Sequence, residues 1–365
     1  MTTPGTTKPF FPVPFTVRPR LDPKPWGGTR LAAYGFERPV DATEPLGEVL
    51  VTANQSVIAD GPWTGLSLGE LTARFPDEVA GPLGRSVTNG RVVFPLLVKL
   101  IDAAQDLSIQ VHPDDEQAAA AGSNGKTEAW AILDAPAGLQ LYLGLDTPDA
   151  AGFVAAAEVG DGGSARFLRR LPARPGEAVM IPAGTVHALG AGVLVYEVQQ
   201  PSEITYRLDD WGRVGADGRP RERHLDAGAR AIRPGLRPAL TSGASWSSGP
   251  GERVLLAACR YFALERINLQ GEERIVATAS GSPQVLTVLA GEATVWSDVD
   301  DRAIAATKGE SIVVPAALPA VTLGCGGQAT VLRAWIADLP SDIITPARRA
   351  GMSDATLAAL GVLTP

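Results

Sequence analysis

Apolar residues along this chain fall in short runs that are separated by glycine and proline. Runs rich in Val, Ile and Leu that are bounded in this way predict β-strands. The strongest is FPLLVKLIDA at 94–103, an apolar stretch interrupted by Lys99, and the alternating segment Leu107–Val111 follows it. Further strands are predicted in AWAILDA, LQLYLGL, AVMIPAG and VLVYEVQQ.

In a few segments, the spacing of apolar residues is that of a helix and not that of a strand. Apolar positions at 68, 71 and 75 predict a helix over Leu66–Phe75, with Ser67 able to cap it. Short helices are also predicted over 114–121, 147–159 and 354–360. Asp114 would lie near the N-terminus of the first of these, and Pro148 in the first turn of the second.

Other segments lack a clear period. The first 25 residues are rich in proline and should be mostly extended, and Trp26-Gly27-Gly28 is typical of a turn that leads into a short element. The charged stretch 213–235 is predicted to be a loop that approaches a second domain. We therefore expect a domain over 1–240 and another over 241–365, where short strands again predict an antiparallel sandwich or small barrel.

An internal repeat supports this division. The segment RPGEAVMIPAGTVHALGAG resembles TKGESIVVPAALPAVTLGCGG. Aligning their prolines places His187 on Ala320, and the preceding strands then place Glu128 on Gln284. The two halves thus look like one β-barrel repeated, with candidate ligands kept only in the first copy.

Composition excludes several classes of protein. The 365 residues carry a net charge of −8, and no basic stripe is available to neutralise nucleic-acid phosphates. The N-terminus lacks the pattern of a signal peptide, and no apolar run is long enough for a membrane helix. Two cysteines, Cys259 and Cys325, are expected to be reduced thiols. We expect a cytoplasmic protein.

Two of the three histidines accompany the most informative motifs, QVHPDD with GKTEAW, and IPAGTVHALG. Gln110 and His112 are two residues apart on a predicted strand, so they should face one side. In a barrel, Glu128 and His187 could meet them inside. Two imidazoles and a carboxylate suit Zn²⁺, Fe²⁺ or Mn²⁺. His224, in RERHLD, has no comparable neighbours and is expected to be a surface or packing residue.

Four motifs together resemble those of the type I mannose-6-phosphate isomerases in their short bacterial form, which are cupins. They are VKLIDAAQDLSIQVHPDD, GKTEAW, IPAGTVHALG and VYEVQQPSEITYRLDDWGR. The resemblance covers roughly residues 9 to 340. It implies a mostly β fold of two cupin-type jelly-roll barrels with short helical insertions, the second lacking metal ligands.

The resemblance also implies a set of site residues and a cofactor. The family's zinc ligands fall on His112, Glu128 and His187, and a fourth, a glutamine, falls on Gln110. Its active-site arginine falls on Arg207, and its pocket lysines fall on Lys99 and Lys126. One zinc ion per chain and a phosphorylated sugar substrate are therefore expected, in a monomer or weak homodimer. The segment GEVLVTANQSV departs from the family pattern, and the loop at 213–235 is longer than in compact members.

The implied reaction converts mannose 6-phosphate to fructose 6-phosphate through an enediol. Lys126 is a candidate proton shuttle, although a solvated loop lysine is the alternative. Arg207 stays protonated and would stabilise an oxyanion or clamp an anionic group, unless it pairs with Asp209 or Asp210. Lys99, inside an apolar strand, faces either the pocket or a structural ion-pair partner.

Two other functions fit part of the pattern. An iron-dependent dioxygenase could use the same ligands, although Lys99, Lys126 and Arg207 favour a polyanionic sugar. A non-catalytic sugar-binding or regulatory cupin is the other alternative, against which the intact ligand set argues.

Overall fold

The computed structural model describes residues 9–215, 218–246, 251–276 and 281–362, and β-strands dominate them. Their pairings are antiparallel and form four sheets, which confirms the mainly β class. The strands are β1 Phe15–Arg18, β2 Arg20–Gly28, β3 Leu46–Thr52, β4 Val57–Ile58, β5 Leu97–Asp102, β6 Ile109–Val111, β7 Glu128–Asp134, β8 Gln140–Leu145, β9 Leu168–Pro172, β10 Ala178–Ile181, β11 His187–Leu189, β12 Leu194–Gln199, β13 Tyr206–Asp209, β14 Leu240–Thr241, β15 Ala244–Ser245, β16 Glu252–Ala258, β17 Ala263–Leu269, β18 Glu272–Val276, β19 Gln284–Ala290, β20 Glu292–Ser297, β21 Asp300–Thr307, β22 Ser311–Val314, β23 Ala320–Gly324 and β24 Ala329–Trp335.

Short helices connect these strands. The α-helices are α1 Leu68–Arg74, α2 Pro76–Val79, α3 Gly81–Ser86, α4 Asp115–Ala119, α5 Ala150–Val159, α6 Leu225–Ala231, α7 Thr345–Arg349 and α8 Asp354–Ala359. Turns of 3-10 helix span Arg30–Tyr34, Gly61–Trp63 and Gly163–Phe167, and a π-helical turn spans Leu339–Ile344. Among the described residues, none of these helices has both the length and the apolar character to cross a membrane.

The sheets confirm the internal repeat. In the first half, a sheet ordered β14-β10-β7-β12-β5-β3-β2 accompanies one ordered β13-β6-β11-β8-β9. In the second half, β22-β19-β24-β17-β16-β15 and β18-β23-β20-β21 repeat the order of the corresponding strands. The register agrees as well, since Glu128 lies opposite Ile181 of β10 and Gln284 lies opposite Val314 of β22.

The N-terminal strand belongs to the sheet of the second half. Phe15 of β1 pairs with Val313 of β22, and β4 extends that sheet beyond β1. This pairing crosses the predicted boundary at residue 240, and the division into 1–240 and 241–365 stays a prediction.

The core is layered, because central strands bury both of their faces. On β7, Trp130 and Ile132 belong to a cluster between the two sheets of the first half. Ala129 and Ala131, which alternate with them, pack in a cluster that also contains strands of the second half. Such a strand is apolar on both sides, so a single charge within it, such as Glu128, stands out in the sequence.

The predicted cap of the first helix is confirmed, and Asp114 lies at the N-terminus of α4 as expected. Ser67 accepts a hydrogen bond from the Glu70 amide, and the Glu70 carboxylate accepts one from the Ser67 amide, forming a capping box before α1. Asp114 and Gln117 form the same arrangement before α4.

Two local predictions were wrong in detail. The helix α5 begins at Ala150 with Asp149 as its N-cap, so Pro148 precedes the cap and does not occupy the first turn. Trp26-Gly27-Gly28 ends strand β2 and is not a turn. A side chain at Gly28 would place its Cβ 2.2 Å from the Asp102 carboxylate, which explains the glycine by close approach.

The stretch 213–235 is not a simple connection to the second half. It contains α6, which packs against β13 and α5 of the first half. Arg213 and Arg221 from this stretch both bind the Asp210 carboxylate, at 2.6 and 2.5 Å. Helix α6 and these two arginines therefore pack against one side of the first sandwich.

Candidate metal centre and active site

Three strands bring the predicted ligands together inside the first half. Glu128 is the first residue of β7, His187 is the first of β11, and His112 follows β6 directly. The ligand atoms of these three buried residues lie within 4.8 Å of one another. His112 Nε2 lies 3.4 Å from Glu128 Oε2, and His187 Nε2 lies 3.3 Å from Oε1. The sequence-based cluster is thus present in the fold.

Backbone carbonyls orient both imidazoles. His112 Nδ1 lies 3.0 Å from the Ile204 oxygen, and His187 Nδ1 lies 2.9 Å from the Thr185 oxygen. A carbonyl oxygen only accepts, so each Nδ1 carries the proton and donates it. Each Nε2 then presents its lone pair toward Glu128, which is the arrangement that metal-binding histidines use.

The protonation states match a metal site. Burial lowers the pKa of His112 to about 3, and the nearby Lys126 ammonium acts in the same direction. Burial likewise lowers the pKa of His187. Burial alone would raise the pKa of Glu128, but the combined effect of Lys126, His112 and His187 outweighs it and keeps that pKa well below its usual value. Neutral imidazoles beside an ionised carboxylate are the forms that bind a metal.

The donor set fits a divalent cation. Among the described residues, neither oxygen of the Glu128 carboxylate accepts a well-oriented hydrogen bond, although the side chain is fully buried. The Lys126 ammonium lies 2.9 Å from Glu128 Oε2 and 3.1 Å from His112 Nε2. These two atoms therefore form a favourable environment for a positive charge. Two imidazoles and one carboxylate are a ligand set used for catalytic zinc.

Gln110 stands beside this cluster. It pairs with His187 across β6 and β11, and its Nε2 lies 3.2 Å from His187 Nε2. A half-turn of the amide would put its oxygen in that position instead, and the two orientations have the same shape. Gln110 therefore lies within hydrogen-bond distance of a candidate ligand, and its part as a fourth ligand, which the family resemblance implies, stays a prediction.

A cavity of about 360 Å³ opens next to the cluster. Its walls come from β2, β3, β5, β6, β7, β12 and β13 and include Gln110 and Trp130. The cations that line it are Arg20, Lys24, Lys99, Lys126, Arg207 and Arg221. The volume is within the range of small-ligand sites. Four carboxylates, those of Asp22, Glu48, Glu197 and Glu203, line it as well, so the six cations leave the wall net positive in a chain of net negative charge.

Lys99 faces the cavity and also forms ion pairs, so both readings of this residue hold. Its ammonium lies 3.3 Å from Glu197 and 3.6 Å from Glu48. Burial would lower the pKa of Lys99, but these two carboxylates outweigh it and raise the pKa above its ordinary value. Glu197 also accepts a hydrogen bond from the Trp130 indole at 2.9 Å.

The second half contains an ion-pair network equivalent to that of Lys99, but with the positive and negative charges exchanged. Glu265 lies opposite Arg333 as Lys99 lies opposite Glu197, and its carboxylate binds both Arg333 and Arg253. In the first half, Glu128 lies next to this network. The corresponding residue of the second half is Gln284, which accepts a hydrogen bond from Arg333 at 2.7 Å. The second copy therefore lacks an acid at the ligand position.

Arg207 lies on β13 opposite Gln110 and lines the cavity. Its Nη1 donates to the Glu222 carbonyl at 2.8 Å, and its backbone amide donates to His224 Nδ1 at 3.2 Å. The carboxylate of Asp210 is instead occupied by Arg213 and Arg221. His224 is thus a packing residue, as expected, and it supports the strand that carries Arg207.

Sequence reasoning missed several residues of this site. Glu48, Glu197 and Arg221 line the cavity, and the sequence analysis proposed no role for them. Glu197 had a detectable signal, because it is the one charged residue in the apolar strand VYEVQQ. Arg221 had none, since it lies in a stretch with many arginines.

The fold and the site define a metal-dependent enzyme built on a duplicated β-sandwich. A sequence profile for the catalytic domain of type I phosphomannose isomerase matches residues 15–131. Mannose-6-phosphate isomerase ManA of Bacillus subtilis is 35% identical over 272 residues, which are 73% of this chain and 81% of that protein. The chain therefore belongs to the type I mannose-6-phosphate isomerase family, as its motifs predicted.

Solved structures agree with this assignment. The crystal structure of the mannose 6-phosphate isomerase from Bacillus subtilis has a TM-score of 0.76 and 30% identity, covering 88% of this chain and 99% of that one. A zinc-bound mannose 6-phosphate isomerase shares the fold at 20% identity, with a TM-score of 0.68 and coverage of 88% and 99%. The predicted cupin-type fold is confirmed.

Proposed function

We propose that this site interconverts mannose 6-phosphate and fructose 6-phosphate through an enediol, with one zinc ion per chain. The observation that carries the proposal is the buried cluster of His112, Glu128 and His187 beside a cation-lined cavity, in a chain of this family. His112, Glu128, His187 and, after rotation of its amide, Gln110 would hold the metal. A bound zinc ion would supply Lewis acidity for the sugar oxygens.

Lys126 is the proposed proton-transfer group. The isomerisation moves a proton between C2 and C1 of the open-chain sugar, so it needs a group that can accept and return a proton. The Lys126 side chain is 5% exposed, and its ammonium lines the cavity within hydrogen-bond distance of two ligand residues. This burial supports a role in the pocket over that of a solvated loop lysine.

Arg207 is proposed to stabilise negative charge during the reaction. It enters the cavity from β13, on the strand next to Gln110. Its Nε is buried, and among the described residues no hydrogen-bond partner occupies it. A fixed guanidinium can stabilise an enediolate oxygen or a phosphate without further reorganisation.

The remaining cations are proposed to bind the phosphate. Arg221 stands near Arg207 on the same wall, and Arg20 and Lys24 stand on the wall formed by β2. Lys99 deeper in the cavity would contact the sugar while remaining paired with Glu48 and Glu197. Local positive charge would attract a phosphorylated sugar even though the whole chain is acidic.

A coupled assay tests the proposal directly. Zinc-loaded protein should convert mannose 6-phosphate to fructose 6-phosphate, and treatment with a chelator should abolish turnover. A panel of phosphorylated and free aldoses should show that the phosphate is required. No turnover by protein with a full complement of zinc would refute the proposal, and metal-dependent oxygen uptake would favour the dioxygenase alternative.

The cellular location and the oligomeric state of the protein stay predictions. A cytoplasmic protein that is monomeric or weakly dimeric is expected from the sequence, and light scattering at several protein concentrations would measure the assembly state.

A further inference from the structure

The second half contacts the segment that carries Lys126. The turn between β16 and β17 contains Arg260 and Tyr261, and both reach the Asp115 carboxylate in the first turn of α4. The Tyr261 hydroxyl donates to Oδ2 at 2.7 Å, and Arg260 Nη2 donates to the same oxygen at 2.9 Å. Asp115 is thus bound from the second half through one of its two oxygens.

The other oxygen of Asp115 faces the active-site segment. Oδ1 accepts a hydrogen bond from the Gly125 amide at 2.9 Å and another from Gln200 Nε2 at 2.9 Å. Gln200 in turn accepts a hydrogen bond from the Thr127 amide at 2.9 Å. The two residues that flank Lys126 are therefore both held, directly or through Gln200, by one carboxylate.

Lys126 has a tether of its own. Its amide donates to the Pro113 carbonyl at 2.9 Å, so three successive amides from Gly125 to Thr127 have fixed partners. Lys126 and Gln200 are buried, which shields these bonds from water. The backbone that carries the Lys126 side chain is consequently held by a hydrogen bond at each residue from Gly125 to Thr127.

Asp115 is suited to this task because it stays ionised. Burial would raise its pKa, but hydrogen bonds from Tyr261, Gly125, Asn89 and Gln200 outweigh it and lower the pKa below its ordinary value. Hydrogen bonds to an ionised carboxylate are roughly twice as strong as those between neutral groups.

We propose that Tyr261 and Asp115 are positioning residues, through which the second half fixes the segment Gly125–Thr127 and so places Lys126 for proton transfer. The inference rests on the proposed function of Lys126. It gives the second half a part in the reaction, although Gln284 and Ala320 stand where the first half has two of its ligands.

The variant Tyr261→Phe removes the hydroxyl and keeps the ring. We expect kcat to fall about tenfold with KM within about twofold, because a misplacement of about 1 Å can cost up to 100-fold in rate. Zinc content should not change. Tyr34→Phe is the matched control, since the Tyr34 ring packs against Lys308 of the second half at 4.3 Å, away from this segment. It should leave kcat unchanged.

Hydrogen exchange gives a readout that does not depend on activity. The amides of Gly125 and Thr127 should exchange faster in Tyr261→Phe than in the wild type or in Tyr34→Phe. Asp115→Asn should produce a larger change in both exchange and kcat, because the uncharged amide keeps only one accepting oxygen and places an NH2 donor where the other oxygen accepts hydrogen bonds.

Some results would overturn the proposal. Unchanged exchange in both variants would show that the segment does not depend on these contacts, and faster exchange with unchanged kcat would separate the contacts from the reaction. A fall in kcat that is matched by loss of zinc would show an effect on the metal ligands instead. An inactive wild-type enzyme would refute the proposed function, whereas the exchange data would still support or overturn the positioning of the segment.

Discussion

Replacing Glu128 by glutamine tests the electrostatics of the metal centre in isolation. The amide has nearly the shape of the carboxylate but no charge. Lys126, whose ammonium lies 2.9 Å from the Glu128 carboxylate in a side chain that is 5% exposed, would then lose its closest ionic partner. Breaking a buried ion pair by removing one partner costs about 3–5 kcal/mol. We expect a loss of this size in the free energy of unfolding of the metal-free protein.

Urea unfolding in the presence of a chelator measures this loss, and metal analysis of the untreated protein measures zinc. Glu128→Gln should lower the unfolding free energy and also lose zinc. The double variant Glu128→Gln with Lys126→Met should recover most of the stability, because no charge is left unpaired, yet should still lack zinc. Asp298→Asn is a control at an exposed pair with Arg274, where the cost should be at most about 1 kcal/mol.

Two outcomes would refute this reasoning. Unchanged stability of the single variant would mean that the Lys126 ammonium is solvated or paired elsewhere in the metal-free protein. A double variant no more stable than the single one would mean that the loss does not arise from an unpaired charge.

Three further predictions follow from the site and its repeat. His187→Ala should lose zinc and activity while the second half keeps its fold; retained zinc with full turnover would contradict the ligand assignment. Arg207→Ala should keep zinc and lose most turnover in the coupled assay, and unchanged kinetics would remove it from the reaction. Burial would raise the pKa of Glu265, but Arg333 and Arg253 outweigh it and hold the pKa below the usual 4.5. Around and below pH 4.5, Glu265 therefore binds protons more readily in the unfolded chain than in the folded protein. The free energy of unfolding consequently decreases as the pH falls. The Tm of the wild type should decrease more steeply than that of Glu265→Gln between about pH 5 and pH 3.5, and equal slopes would refute this.

The candidate metal site could be predicted because its residues stand out locally. His112, Glu128 and His187 lie in short motifs punctuated by glycine or proline, and a β-fold with inward-facing alternate residues gives them one place to meet. The helix α1 was predictable for a similar reason, since its cap depends on Ser67 and Glu70, three residues apart.

The rest depends on partners that are distant in sequence. Asp115 and Tyr261 are 146 residues apart, and neither has a neighbour that indicates the hydrogen bond between them. Gly28 looked like a turn residue because the Asp102 carboxylate that excludes a side chain there belongs to another strand. The ion pairs of Lys99 required the register of β3, β5 and β12, which no local pattern determines.

The pairing of β1 with β22 has a consequence for the order of events during synthesis. About 300 residues separate the two strands, and a ribosome that adds about 5–20 residues per second needs about 15–60 s to make the chain between them. The N-terminal strand must wait that long for its neighbour, with its hydrogen-bonding edge unsatisfied. The sheet that contains β1 can therefore be completed on the ribosome only after β22 has emerged.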